Sequence, residues 1–176
     1  LSQYDLGHSL QEGVPSDSPV PGQDPAILFL DRARQLLKES SRGRGGGRMA
    51  IVLPRQITSG HHRDMQEIRR WILKNLRVLA VIDLPRETFQ PYTGTLTSIL
   101  FAERIDQPST DDYSIFMAVP QNVGHDRRGN PKIRRTEEGA PVYDDTNNLV
   151  IENDMPAVIK AYDDYKTNAL KESYKP

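Results

Sequence analysis

The sequence predicts an α/β fold with a mixed sheet, and three observations indicate it. Two short, continuous apolar runs, MAIVLP (residues 49–54) and VLAVIDLP (residues 78–85), are typical of strands buried on both faces. A segment with helical spacing precedes each run, and the order helix, strand, helix, strand predicts parallel strands joined by crossover helices. Two later strand-like runs are joined by a connection too short for a crossover helix, which predicts antiparallel neighbours.

The first helix is predicted over residues 24–39. Asp24 suits the N-cap and Pro25 suits the first helical position. Apolar side chains then recur at helical spacing, at Ile27, Leu30, Ala33, Leu36 and Leu37. The stretch SSRGRGGGR follows this helix and precedes a strand. It therefore predicts a helix end with a tight turn rather than a loop that cradles phosphate, which would follow a strand and begin a helix.

The remaining elements follow in order. A second helix is predicted over residues 63–75, with Met65, Ile68, Trp71 and Ile72 on one side. The runs TSILFAER (residues 97–104) and YSIFMAVP (residues 113–120) are the two predicted antiparallel strands, and a last helix is predicted over residues 155–170.

Four segments are predicted along the chain, and no internal repeat is evident. Residues 1–23 are expected to be a loop or linker, and residues 24–120 the main α/β segment. Residues 121–150 are expected to form a basic and then acidic loop region, followed by a C-terminal helix and tail over residues 151–176.

Composition excludes several classes of function. The 176 residues have a net charge of −1, so any contact with nucleic acid must be local, and the lack of cysteine excludes disulfides and thiolate chemistry. No run approaches the ~20 apolar residues of a membrane span, which predicts a soluble, cytoplasmic protein. The histidines at 8, 61, 62 and 125 lack the spacing of metal ligands, so no metal site is expected.

One segment, DRRGNPKIRR, concentrates positive charge in a loop. Its five cations are Arg127, Arg128, Lys132, Arg134 and Arg135. They could contact the phosphates of DNA. Alternatively, the loop is solvated and neutralised by the acids that follow it, at positions 137, 138, 144 and 145.

A second segment, LPRETFQPYTGT, carries Phe89 and Tyr92 in a loop between two predicted strands. These rings either fold back into the core or form an aromatic face for a planar ligand. The loop follows the carboxyl end of a predicted parallel strand, where open α/β sheets bind their ligands. Residues 53–54, which end the other parallel strand, are expected at the same edge.

Several stretches together resemble the modification subunits of type I restriction–modification systems and related N-6 adenine DNA methylases. They are QYDLGHSL, DPAILFLDRARQLLK, GGRMAIVLP, RRWILKNLRVLAVIDLPRETFQPYTGTLTSILFAER and VGHDRRGNP, in order over residues 3–131. The resemblance implies a Rossmann-like methyltransferase sheet with a reversed late strand. It also implies transfer of a methyl group from S-adenosylmethionine to N6 of an adenine in duplex DNA.

The resemblance assigns roles within the aromatic loop. The target adenine must leave the base stack to be reached, and Phe89 matches the aromatic position that packs against the flipped base. Tyr92, Thr93, Gly94 and Thr95 are implied to approach the extruded nucleotide, with the glycine allowing close backbone approach.

Two motifs of the family do not occur in this sequence. They are the glycine-containing loop that holds S-adenosylmethionine and the Asn-Pro-Pro-aromatic tetrapeptide that binds the target amino group. The chain is therefore expected to be the carboxyl-terminal half of a catalytic domain, inactive alone, with its cofactor-binding residues unknown. Without the amino-terminal strands, residues 49–53 are expected to expose an edge of the sheet.

The resemblance implies duplex DNA, a DNA-specificity subunit and a restriction subunit as partners. Two alternatives stay open: a catalytically inactive module that docks DNA or partner subunits, and a substrate other than DNA, such as protein or RNA, for the same fold.

Overall fold

The computed structural model describes residues 3–40, 46–107 and 112–173. The chain divides into two compact units, one of residues 1–82 with 97–117 and the other of residues 83–96 with 118–176. The predicted α/β class is confirmed, because the first unit holds most of a four-stranded mixed sheet with helices packed against it.

The sheet has the order β3-β5-β4-β6, with β3 at Arg48–Pro54, β4 at Leu76–Asp83, β5 at Thr97–Arg104 and β6 at Phe116–Ala118. Strand β5 is antiparallel to β3, in register from Arg48 opposite Glu103 to Pro54 opposite Thr97. The Ile105 N–H donates to the Asn75 carbonyl, which sets the end of β5 beside the start of β4. Both neighbours therefore run opposite to β5, and the predicted reversed strand is confirmed.

Two expectations about the sheet are wrong. The last strand pairs with β4 and not with β5, because β5 already has a neighbour on each side. Strand β3 is not buried on both faces, since its side chains alternate between exposed and covered. Its place at the end of the strand order agrees with the expected edge. Its Val52 side chain is 48% exposed. An apolar run thus marked an edge strand of the described sheet.

Helices α1 (Pro25–Leu36) and α3 (Arg63–Asn75) form where the sequence predicts them. The Asp24 carboxylate caps α1 by accepting from the Ala26 N–H at 2.8 Å. Both helices bury one apolar face, to which α3 contributes Ile68, Trp71 and Ile72. A short helix that the sequence did not predict, α2 (Arg55–Ser59), begins directly after β3.

The N-terminal segment is not the predicted loop. Strands β1 (His8–Gln11) and β2 (Val14–Pro19) form an antiparallel hairpin, and Leu6 before it is fully buried in the core. The Leu6 N–H donates to the carboxylate of Asp31 at 2.9 Å, and burial raises the pKa of that carboxyl. At the turn of the hairpin, Gly13 has a φ of +73°, and its N–H donates to Glu67 at 2.7 Å. A side chain there would meet the backbone of Arg70 at 2.7 Å, so this turn requires glycine.

Residues 121–154 of the second unit contain a repeat that the sequence did not reveal. Three turns, at residues 126–130, 136–140 and 144–148, share one pattern of backbone hydrogen bonds. Each turn has an acceptor side chain at its first position and a residue with positive φ at its fourth. The first positions are Asp126, Thr136 and Asp144, and the fourth are Gly129, Gly139 and Asn147.

Helix α4 (Met155–Ser173) closes the described chain near its predicted position. The Asn153 side chain accepts from the Met155 N–H at 3.0 Å at its start. None of the described helices combines the length and apolarity that crossing a membrane requires.

The buried position of Leu6 yields a stability prediction. Leu6→Ala should lower the free energy of unfolding by about 2–5 kcal/mol, because it opens a cavity in the core. Val14→Ala is the matched control on the same hairpin; its side chain is 51% exposed, and its effect should stay below about 1 kcal/mol. Urea unfolding measures both, and equal effects would mean that the N-terminal segment is not part of the core.

Candidate functional site

Two cavities lie side by side within the second unit. The first, of about 670 Å³, is lined by residues 88–93 on one side and by His125, Arg128 and Gly129 on the other. We call it the aromatic cavity. The second, of about 560 Å³, is lined by Glu87 and by residues 121–123, 125–128 and 132, and we call it the polar cavity. His125 and Arg128 line both cavities.

The aromatic cavity contains the two rings that the sequence singled out. Phe89 ends a 3₁₀ turn, Arg86–Phe89, and is 38% exposed. Its carbonyl accepts from the Thr93 N–H at 3.0 Å, and the turn before it is closed by Thr88, whose hydroxyl donates to the Pro85 carbonyl at 2.7 Å. Tyr92 is 96% exposed, so the interpretation that it folds back into the core is wrong for this residue.

The residues after Tyr92 form a local polar turn. The Thr95 N–H donates to the Thr93 hydroxyl at 3.2 Å, and the two hydroxyls lie 2.9 Å apart. Thr93 lines the aromatic cavity, whereas Gly94 and Thr95 do not. A Cβ on Gly94 would make only ordinary contacts at 3.7 Å, so packing within the described residues does not require glycine there. A role for these residues towards a nucleotide stays a prediction.

The turn at residues 126–130 contributes cationic side chains to both cavities: Arg128 lines both of them, and Arg127 lines the polar cavity. The Asp126 carboxylate accepts from the backbone N–H groups of Asn130 at 2.9 Å and of Arg128 at 2.8 Å. It also accepts from the Asn130 side-chain amide at 3.2 Å. These hydrogen bonds, those from Asn130 first, hold the pKa of Asp126 below its usual value. The carboxylate is thus engaged with its own turn, while the side chains of Arg127 and Arg128 are exposed.

The structure separates the five cations that the sequence grouped together. Arg127 and Arg128 line the polar cavity and form no side-chain hydrogen bond or ion pair within the described residues. Lys132 lines it too, but its ammonium group donates to Asn122 at 2.7 Å and pairs with Glu152 at 3.0 Å. Arg134 and Arg135 line neither cavity, and Arg135 donates to the Gly139 carbonyl at 2.8 Å.

Among the cavity residues that sequence reasoning did not assign to the site are Glu87, Gln121, Asn122 and His125. The backbone N–H groups of Gln121 and Asn122 donate to the Asp154 carboxylate at 2.8 and 2.9 Å, which fixes this segment to the start of α4. The only available signal was position, because Glu87 lies in the aromatic loop and His125 immediately precedes the basic turn.

Within the described residues, no group of three or more histidine or acidic side chains is placed to hold a metal ion. The two described glycines of the glycine-rich segment use their N–H groups internally: Gly46 donates to Arg104 O and Gly47 to Lys38 O. This favours the predicted tight turn over an anion-binding loop; residues 41–45 lie outside the described ranges.

The mixed sheet with its reversed strand places the chain among α/β proteins. The chain belongs to the N-6 DNA methylase family, since the model of that family matches residues 29–160. The resemblance inferred from the sequence is thereby confirmed.

Individual proteins show the same likeness. The methylase subunit of the type I restriction enzyme EcoEI of Escherichia coli is 27% identical over 120 residues, which make up 67% of this chain and 23% of that protein. Among solved structures, a modification subunit assigned to a type I restriction enzyme of Vibrio vulnificus YJ016 is 20% identical, with a TM-score of 0.47 over 84% of this chain and 35% of that one.

A further solved structure concerns complex assembly and conformational transition of the type I R-M system. It is 23% identical, with a TM-score of 0.45 over 72% of this chain and 25% of that one. The chain thus spans only about a quarter to a third of the length of the proteins it matches.

The hydrogen bonds of Asp126 yield a prediction about pH. A carboxyl whose pKa is lowered by folding stabilises the folded state above its unfolded value, near 3.8, and loses that contribution as pH falls through the lower folded value. We expect the amides of Arg128 and Asn130 to exchange faster with solvent as pH falls below about 3.8, after correction for intrinsic exchange. In Asp126→Asn this additional pH dependence should vanish; if it persists unchanged, another group controls the turn.

Proposed function

We propose that this chain is part of a DNA adenine-N6 methyltransferase of a type I restriction–modification system. The enzyme would transfer a methyl group from S-adenosylmethionine to an adenine turned out of the duplex. Membership in the N-6 DNA methylase family supports this. The observation that carries it further is the meeting of the Phe89 loop and the basic turn around one cavity, with His125 and Arg128 shared by its polar neighbour.

The chemistry of the substrate explains why both groups are needed. The N6 atom of adenine is not reachable inside the stack, so the base must be extruded at a cost of a few kcal/mol. Phe89 offers a partly exposed ring at the end of a hydrogen-bonded turn. Stacking of a base on such a ring contributes about 1–3 kcal/mol, and nearby cations attract the nucleotide's phosphates.

S-adenosylmethionine supplies the methyl group in this proposal. The residues that bind it are assigned to other parts of the parent protein, with this chain contributing the carboxyl-terminal half of a Rossmann-like domain. Duplex DNA, a DNA-specificity subunit and a restriction subunit are the proposed partners. The name of the EcoEI relative, a methylase subunit of a restriction enzyme, supports subunit partners.

A catalytically inactive module that docks DNA or partner subunits is the second candidate. The same loop and turn could bind DNA without transferring a methyl group. Sequencing the parent reading frame upstream of Leu1 separates the two. A tetrapeptide of the type Asn-Pro-Pro-Phe or Asp-Pro-Pro-Tyr within a few dozen residues supports the enzyme.

The stacking role yields a prediction for the full-length parent protein. Phe89→Ala should reduce methyl transfer roughly 5- to 150-fold, equivalent to the loss of about 1–3 kcal/mol of stacking, while binding of S-adenosylmethionine stays near the wild-type level. Transfer of labelled methyl groups and equilibrium dialysis measure the two properties.

Phe29→Ala is the matched control, since Phe29 lies on α1 and is 68% exposed. It should leave methyl transfer unchanged. Full activity of the Phe89 variant would remove this residue from the base pocket.

The two arginines of the polar cavity yield a second prediction. Replacing Arg127 and Arg128 with alanine should weaken DNA binding regardless of sequence. It should also reduce the slope of log affinity against log salt by about 2, because each phosphate that a cation neutralises adds close to 0.9 to that slope. Arg135→Ala removes one charge from the same segment but from neither cavity, and should reduce the slope by less than about 0.9. A salt slope that stays at the wild-type value in the double variant contradicts the phosphate contact.

A further inference from the structure

The polar cavity has a different chemistry from its aromatic neighbour. No Phe, Tyr or Trp ring of the described residues lines it; its lining consists mainly of cationic, amide and carboxylate side chains. It therefore offers a base less stacking surface than the aromatic cavity does. Because Arg128 and His125 line both cavities, a group held in the polar cavity lies next to a nucleotide held in the aromatic one.

The two arginines of the polar cavity form no ion pair within the described residues. The Asp126 carboxylate keeps its charge and interacts electrostatically with Arg128, but its hydrogen bonds come from the amides of its own turn; Lys132 is engaged with Asn122 and Glu152. Arg127 and Arg128 form no side-chain hydrogen bond or ion pair within the described residues, and the carboxylate of Glu87 has no such partner there either. Two guanidinium groups therefore have donors available at the cavity, while the carboxylates of Glu87 and Asp126 oppose an incoming anion.

We propose that the polar cavity binds the phosphodiester adjoining the extruded nucleotide, with Arg127 and Arg128 donating to its non-bridging oxygens. This inference rests on the proposed function, which supplies the nucleotide in the aromatic cavity. Guanidinium groups match the planar, bidentate recognition of phosphate better than an ammonium group does. Because Arg128 lines both cavities, the phosphate that it binds is the one next to the nucleotide in the aromatic cavity rather than another along the strand.

Glu87 acts in this site as a selective element. Its carboxylate repels any phosphate in the cavity, so only an anion that engages both arginines gains enough to offset the repulsion. A strand displaced along its own axis would bring a phosphate near Glu87 without the full set of donors. Glu87 thus favours the register in which the target nucleotide occupies the aromatic cavity.

The test uses the full-length parent protein with its partner subunits and duplexes in which single target-strand phosphates are replaced by neutral methylphosphonates. At one position adjoining the target adenine, the replacement should weaken binding by the wild type on the order of tenfold. In the double variant Arg127→Ala/Arg128→Ala, the same replacement should have almost no effect. Equal losses in the two proteins, or no sensitive position in the wild type, overturn the proposal.

Glu87→Gln provides a second measurement with the opposite sign. It should tighten binding about two- to fivefold, in the range expected for one partly screened charge interaction, and this gain should disappear on the duplex that is neutral at the sensitive position. Glu137→Gln, on an exposed turn outside both cavities, is the matched control and should show no such dependence. If Glu87→Gln tightens DNA binding equally on both duplexes, Glu87 acts only through the overall electrostatic potential of the protein, which contradicts its role in the cavity.

The two proposals fail differently. If Phe89→Ala leaves methyl transfer intact but the arginines remain coupled to one phosphate, the stacking assignment fails and the phosphate site stands. If Phe89→Ala impairs transfer and the coupling is absent, the phosphate site fails alone.

Discussion

The direction of strand β5 is the constraint on which the arrangement of the chain depends. Because β5 lies between β3 and β4 and runs opposite to both, the two flanking strands end where β5 begins. The chain therefore leaves β4 at Asp83 and re-enters the sheet in the neighbouring strand at Thr97. A tight hairpin needs about two residues for such a connection. The connection of residues 84–96 is therefore much longer than joining the two strands requires. The additional residues form the turn with Phe89 and include the exposed Tyr92.

A second constraint operates in the three turns of residues 126–148. Each turn satisfies its own backbone amides with the side chain at its first position, so these acceptors are engaged locally. In the first turn, Asp126 accepts from the Arg128 N–H and interacts electrostatically with its side chain, but forms no salt bridge with it. Asp144 is likewise hydrogen-bonded by its own turn and keeps its negative charge, so neutralisation of the basic loop by later acids stays an open interpretation. Within the described residues, the side chains of Arg127 and Arg128 thus form no ion pair.

Local signals predicted local structure well. Asp24 and Pro25 marked the start of α1, and the run at residues 97–104 predicted β5 with its bounds. Predictions failed where the structure depends on contacts between residues far apart in the chain. MAIVLP is typical of a strand buried on both faces, but burial of each face depends on which elements pack against it, and the side chains of β3 alternate between exposed and covered. The hairpin at residues 8–19 is rich in serine and proline, and its contacts with Asp31 and Glu67 come from helices far along the chain.

The same distinction applies to the candidate site. Phe89 and the basic residues were each recognisable in the sequence, whereas their shared cavity was not, since residues 88–93 and 125–129 are far apart in the chain. The two aromatic residues, Phe89 and Tyr92, differ in how far their side chains are exposed to solvent. A ring that is 38% exposed has less side-chain freedom to lose when a base stacks on it than a ring that is 96% exposed. Phe89 is therefore the better-organised platform, and any contribution of Tyr92 depends on contacts that form only with the bound partner.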